Sequence, residues 1–192
     1  SLVLAASSQF TAPYRKANEK AEKVRNFLSA LEINIEPQWD SKTLLEVFDK
    51  NVRERKLGEY TLYENVSDQS NPDVPLSVAV LFSGPGLWAP IEGVMALETD
   101  LLTIRGIRFY KQEETPGLGG EIGSDWFQEQ FKGKKIVSGA GEPGFKIVKP
   151  GSATDENTVN GVSGATMTSE RVQTILDSLA KKLWEERDNY VK

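Results

Sequence analysis

Between residues 13 and 31 the apolar positions Ala17, Ala21, Val24, Leu28 and Leu31 recur at steps of three and four, which predicts one helix with a single buried stripe. Glu19 and Lys23, four apart, are expected to pair on its wet side. Pro37 breaks the pattern. Thr43 followed three residues later by Glu46 has the form of a capping box, and predicts a second helix with Leu44, Leu45, Phe48 and Val52 inward, ending near Gly58. The polar, proline-bearing "YENVSDQSNPDVP" predicts an exposed loop. The run at residues 76–82, "LSVAVLF", suits a buried strand, "SGPGLWAP" a turn carrying Trp88, and "IEGVMALE" and "LLTIRGIRFYKQ" two further strands. A short amphipathic helix after Ser124 is expected to bury Trp126, Phe127 and Phe131, and "KKIVSG" with "GFKIVKPG" to form a strand pair. A last helix over about residues 169–187 buries Val172, Ile175, Leu176, Leu179 and Leu183. With helices at both ends and strands between, the fold class is α+β: a central, mostly antiparallel sheet flanked by N-terminal and C-terminal helices. There is no internal repeat and no low-complexity segment.

Composition narrows the chemistry. The chain has 192 residues, 39% of them apolar, enough for one large domain or a tight pair with a real core. Its net charge of −5 comes with no basic patch, so nucleic acid is not an expected partner. The chain contains no cysteine and no histidine. That excludes thiolate nucleophiles, Ser-His-Asp triads, cysteine-ligated clusters and imidazole-bound metals, and no metal site is expected. Chemistry must then come from carboxylates, lysines, hydroxyls or a borrowed cofactor. The opening "SLVLAASSQF" is far short of the ~20 residues a membrane span needs. It reads either as an ordinary terminus or as the trailing edge of a removed anchor or signal.

The stretch "VNGVSGATMTSERVQTILDSL" places two serines and two threonines among small residues at the start of the last helix, where one cap would suffice. Gly161, Gly164 and Ala165 strip bulk from the backbone, and Thr166 stands just ahead of the candidate caps Thr168 and Ser169. A helix N-terminus offers free N–H groups and partial positive charge, so a phosphate borne by Thr166 would find an anion site ready. The plainer alternative is a capped helix preceded by a glycine turn. "ETPGLGG" is equally two-sided. Thr115, Pro116 and Gly117 make a good turn and Leu118, Gly119 and Gly120 a bland continuation, yet a glycine-rich loop also leaves room for a flat ring against backbone, with Leu118 as apolar contact and Thr115 as a hydrogen-bonding edge. Trp88 either stacks on a ligand or packs. Lys146 either offers charge to a phosphate or ring or faces water. Glu113 and Glu114 either serve as an acid–base pair or, as adjacent loop carboxylates usually do, face solvent, and "NVS" at Asn65 matches a glycosylation sequon of little weight.

"VNGVSGATMTS" with "ETPGLGG" upstream resembles the FMN-binding domain of the NqrC family, a subunit family of the Na⁺-translocating NADH:quinone oxidoreductase. "GPGLWAPIEGVMALE", "GIRFYKQEETPGLGGEI" and "WFQEQFKGKKI" are similar to blocks of the same family, in the same order. The flavin-bearing RnfG family of the Rnf complex and free-standing flavinylated carriers are the alternatives within the resemblance. A secreted binding module with two structural loops is the alternative outside it. The resemblance implies a covalent flavin: a flavin transferase takes FMN from FAD and esterifies it to the last threonine of a D-x-x-S/T-G-A-T motif. Here that is Thr166, preceded by Ser163, Gly164 and Ala165, with Asn160 at the position of the family's aspartate. It further implies an electron-transfer component of a sodium pump, part of an enzyme but not catalytic by itself, docked to other membrane subunits. Residues 1–12 are then the remnant of a single N-terminal anchor in the bacterial inner membrane, and residues 13–192 a periplasmic FMN-binding domain. The flavin ring is expected against residues 115–120 with Trp88 nearby and one edge open to partners.

Overall fold

A computed structural model describes residues 19–191; the expected anchor remnant and the first turn of the predicted N-terminal helix lie outside them. Helix α1 occupies residues 19–30. It buries two faces, not one stripe. Phe27, Ala30 and Leu31 press on Ala79, Val94 and Ala96 of the sheet, while Val24 and Leu28 meet Leu44 of the next helix. Its exit is a Schellman turn, with Ile33 N donating to Leu28 O at 2.9 Å and Glu32 N to Ser29 O at 3.1 Å. Glu32 takes the left-handed residue of that turn at φ 58°. The expected Glu19–Lys23 pair is replaced by Lys23 Nζ standing 5.4 Å from the centroid of the Tyr110 ring.

Helix α2, Ser41–Asn51, is capped by Asp40, not Thr43: an Asp40 carboxylate oxygen accepts from Thr43 N at 2.8 Å. It stops well before Gly58, because Val52 is already extended and begins β1 (Val52–Leu57), which turns back into β2 (Tyr60–Asn65). The predicted loop therefore starts with a strand. β1 gives no signal in the sequence because "VRERKL" is an edge strand with charged residues on both faces and no apolar alternation. β2 pairs with β3 (Ser77–Pro85), β3 with β4 (Pro90–Leu97) and β4 with β5 (Ile104–Lys111), all antiparallel and in chain order. Ala96 faces Gly106 while Leu97 faces Ile104, so Arg105 is the extra residue of a β-bulge.

Beyond the sheet the chain forms a 3₁₀ turn (Gly119–Gly123), the single turn α3 (Asp125–Gln128) and another 3₁₀ turn (Glu129–Phe131). Phe127 and Phe131 are fully buried as expected, but Trp126 is 49% exposed. Phe131 stacks on Phe145 at 5.2 Å and meets Phe109 of β5 edge-on. The expected pairing of "KKIVSG" with "GFKIVKPG" does not form. Instead β6 (Lys146–Val148) runs parallel to β7 (Thr158–Asn160), and the earlier segment contributes only isolated bridges at Lys135 and Val137. Helix α4, Thr166–Val191, covers the sheet face opposite α1 with Val172, Ile175, Leu176, Leu179 and Leu183. The molecule is thus three layers, with α1 and α2 on one side of the sheet and α4 with the β6–β7 lobe on the other. Among the described residues no helix is long and apolar enough to cross a membrane.

Candidate functional site

Three segments far apart in sequence converge at the start of α4. The first is the β3–β4 turn, closed by Gly86 N to Ala89 O at 3.1 Å. The second follows β5, where Leu118 N and Gly120 N both donate to Thr115 O, at 3.1 and 2.9 Å, and wind the loop into the 3₁₀ turn. The third is the link from β7 to α4, which passes Gly164 at φ 74° before the helix begins. A Cβ on Gly164 would stand 3.2 Å from a methyl of Leu118, so the second and third segments touch.

Helix α4 begins at Thr166, earlier than the sequence suggests. Ser169 N donates to Ala165 O at 3.0 Å, so Ala165 is the cap position. The amides of residues 166–168 lie ahead of that first bond, in the turn where partial positive charge gathers. Neither Thr168 nor Ser169 caps as expected. Ser169 Oγ accepts from Val162 N at 3.2 Å, which folds the link back on the helix. Thr168 is buried and donates its hydroxyl to Glu114 Oε2 at 2.6 Å. Thr166, by contrast, is exposed.

A cleft of about 250 Å³ lies between these walls, lined by Leu87, Glu114, Thr115, Leu118, Gly119 and residues 164–168. Thr115, Leu118, Gly119, Gly164, Ala165, Thr166 and Thr168 of the sequence-based set therefore share one site. Leu118 and Met167 are 44% and 60% exposed on its rim, an apolar lip beside a polar helix start. Thr166 also borders a neighbouring cleft with Val148, Lys149, Ser169 and Glu170. Ser163 and Gly117 line a third cleft, with Trp126 and Asn160. Trp88 is 73% exposed beside Leu87 but is not among the residues that line the Thr166 cleft. Lys146 stands exposed on β6 outside the lining of all three, and Lys149 is the lysine that borders a cleft together with Thr166.

Glu114 is not the solvated carboxylate that the sequence suggests. It is 4% exposed, accepting from Leu87 N at 2.8 Å as well as from Thr168. A Cβ on Gly119 would lie 2.4 Å from Thr168 Oγ1 and 3.0 Å from Glu114 Oε2, so its bareness makes room for that buried bond in the cleft wall. No local pattern distinguishes Glu114 from its neighbour Glu113. Leu87 and Met167 join the site without a sequence signal, because single apolar residues in turns carry no periodicity. Asn160 braces the loop before β7: Oδ1 accepts from Ser152 N and Ala153 N, each at 3.0 Å, while Nδ2 donates to Gln130 Oε1 at 3.2 Å. The Asn65 sequon is 4% exposed, with its amide donating to Leu31 O, so it offers no acceptor for a glycan.

The residues present fit FMN. A phosphate needs the unpaired amides of a helix start, a ring needs an apolar lip, and a covalent link needs an exposed hydroxyl at the junction of the two. Sequence comparison agrees. The FMN-binding domain family matches residues 86–181, half of the chain. The NqrC-type component of Na(+)-translocating NADH-quinone reductase from Vibrio anguillarum is 40% identical over 129 residues, covering 67% of this chain and 48% of that protein. Its counterpart in Neisseria meningitidis serogroup B is 44% identical over 90 residues, 47% of this chain and 35% of that protein. The chain spans about half the length of the curated relatives it matches. Among solved structures, the corresponding reductase component from Parabacteroides distasonis superposes with a TM-score of 0.74 at 27% identity, over 91% of this chain and 95% of that one. Shewanella oneidensis NqrC gives 0.76 at 23%, over 91% and 99%, which shows the shared α+β fold.

Proposed function

The chain belongs to the FMN-binding domain family, and we propose that it is a covalently flavinylated electron carrier of the NqrC type in a Na⁺-translocating NADH:quinone reductase, with FMN esterified to Thr166. The observation that carries this reading is the meeting, in one cleft, of an exposed hydroxyl at the first residue of α4 with the loop at residues 115–119. Loading would join Thr166 Oγ to the FMN phosphorus of FAD as the pyrophosphate bond breaks, with AMP as the leaving group and the hydroxyl proton taken by the flavin transferase. The amides of residues 166–168 would hold the resulting phosphodiester, their dipoles favouring its charge. Leu87, Leu118 and Met167 offer apolar surface to the ring and Thr115 a polar edge. Bound FMN supplies the electron transfer. The chain's own residues hold it by a tether, limit water on one side and leave the other open. None is assigned a proton-transfer role, because a relay needs none.

The relatives' name supports placing the domain among the other membrane subunits of such a pump. On this reading it faces the periplasm beside the bacterial inner membrane and contributes to redox-driven sodium transport. Co-expression with a flavin transferase tests the assignment. Intact-mass analysis is expected to show a gain of one FMN less one water, and peptide mapping to place it on Thr166. Thr166→Val is expected to remain unlabelled. An unlabelled wild type, or a labelled Thr166→Val, would overturn the reading.

A further inference from the structure

A buried charge stands in the cleft wall without a role in the loading step. Glu114 offers one oxygen to Leu87 N at 2.8 Å and the other to Thr168 Oγ1 at 2.6 Å. Both oxygens accept, which is the bonding pattern of an ionised carboxylate. Both donors are neutral, so they solvate the charge without cancelling it. The side chain joins all three walls of the cleft: it springs from the second segment, holds the β3–β4 turn of the first and ties the first turn of α4. Room is made for it from both sides. A Cβ on Gly86 would lie 2.6 Å from Glu114 Oε1, and one on Gly119 3.0 Å from Oε2. A carboxylate is costly to bury, and a side chain enclosed between two bare glycines is positioned by its surroundings as firmly as it positions them.

We propose that Glu114 is the positioning residue of this cleft, a strut that fixes the separation of its walls and whose negative charge opposes reduction of a flavin held between them. The proposal rests on the flavin reading for its second half only. Reduction adds negative charge to the ring, and a like charge at close range in a partly dry site disfavours it. The two roles separate by substitution. Glu114→Gln removes the charge but keeps an oxygen for Leu87 N, and Thr168 Oγ can accept from the new amide. Glu114→Ala removes both bonds.

The experiment has two readouts. In flavin-free protein, peptide-resolved hydrogen exchange over residues 86–88, 118–120 and 169–172, where Gly86 N, Leu87 N, Leu118 N, Gly120 N and Ser169 N are hydrogen-bonded, reports the strut. Glu114→Ala is expected to exchange at least tenfold faster in all three segments and to load flavin more slowly, whereas Glu114→Gln keeps the wild-type pattern. In flavin-loaded protein, redox titration reports the charge: Glu114→Gln is expected to raise the flavin's midpoint potential. Unchanged exchange in Glu114→Ala overturns the positioning role, and an unchanged or lowered potential in Glu114→Gln overturns the electrostatic one. A wild type that never loads overturns the flavin site and the electrostatic role together, while the exchange comparison still judges the strut.

Discussion

Two glycines of one loop, Gly117 and Gly119, show how differently the same residue type can be required. Gly117 sits at φ 73° with open space where a Cβ would go, whereas Gly119 would drive a Cβ to 2.4 Å from the Thr168 hydroxyl. Gly117→Ala is therefore expected to cost only the left-handed backbone penalty, about 1 kcal/mol. Gly119→Ala must break or displace a buried hydrogen bond to a carboxylate and is expected to cost about 2–3 kcal/mol, with transferase labelling impaired. Urea denaturation of both variants, followed by labelling, checks the order. In the sequence these glycines belong to one undifferentiated loop, because "TPGLGG" states flexibility without stating what comes near. Thr166 is legible for the opposite reason: a hydroxyl among small residues at a helix start is a local feature, and local features survive the step from sequence to structure. Glu114 is not, since its burial depends on a helix that begins much later in the chain.

Helices α2 and α4 are both legible as elements, and in both the first turn departs from what the sequence suggests. In α2 the Thr43–Glu46 spacing imitates a capping box, but Asp40 wins because its extended backbone, at ψ 174°, aims its carboxylate at Thr43 N. Asp40→Ala is expected to lose about 1 kcal/mol while Thr43→Ala loses far less, a comparison that thermal melts resolve. In α4 the cap position is Ala165, whose side chain cannot accept from an amide. The first turn keeps its donors free, and a helix start left open in this manner is what an anion requires. β3, β4 and β5 are legible because each alternates or runs apolar. β1 and the true partner of β6 are not: the charges of an exposed edge and the pairing of two three-residue strands leave no period to read.

Across the whole molecule, the α+β class follows from the order of elements, whereas the three-layer arrangement depends on α1 having two buried faces. What fastens α1 to the rest is partly ionic. Glu32 bonds Lys132 and Arg105, the latter through Nε at 3.1 Å. Those hydrogen bonds, Lys132 first and then Arg105, hold its carboxyl below the ordinary 4.5. A depressed folded-state value means stability that is fully present above 4.5 and lost as the pH falls below it through the lower folded value. Glu32→Gln is thus expected to melt below wild type at neutral pH, with the gap closing under acid, as paired thermal scans across pH would record. The succession of strands also bears on biosynthesis. β1 to β5 are neighbours in the sheet in the same sequence as they leave the ribosome, so they can assemble as they emerge. Helix α4 follows all of them, and with it comes the last face of the cleft. If Thr166 accepts flavin as proposed, a nascent polypeptide would present no seated acceptor hydroxyl, and a modifying enzyme that recognises the finished pocket would pass over incomplete or misfolded copies, making the order of synthesis a form of quality control.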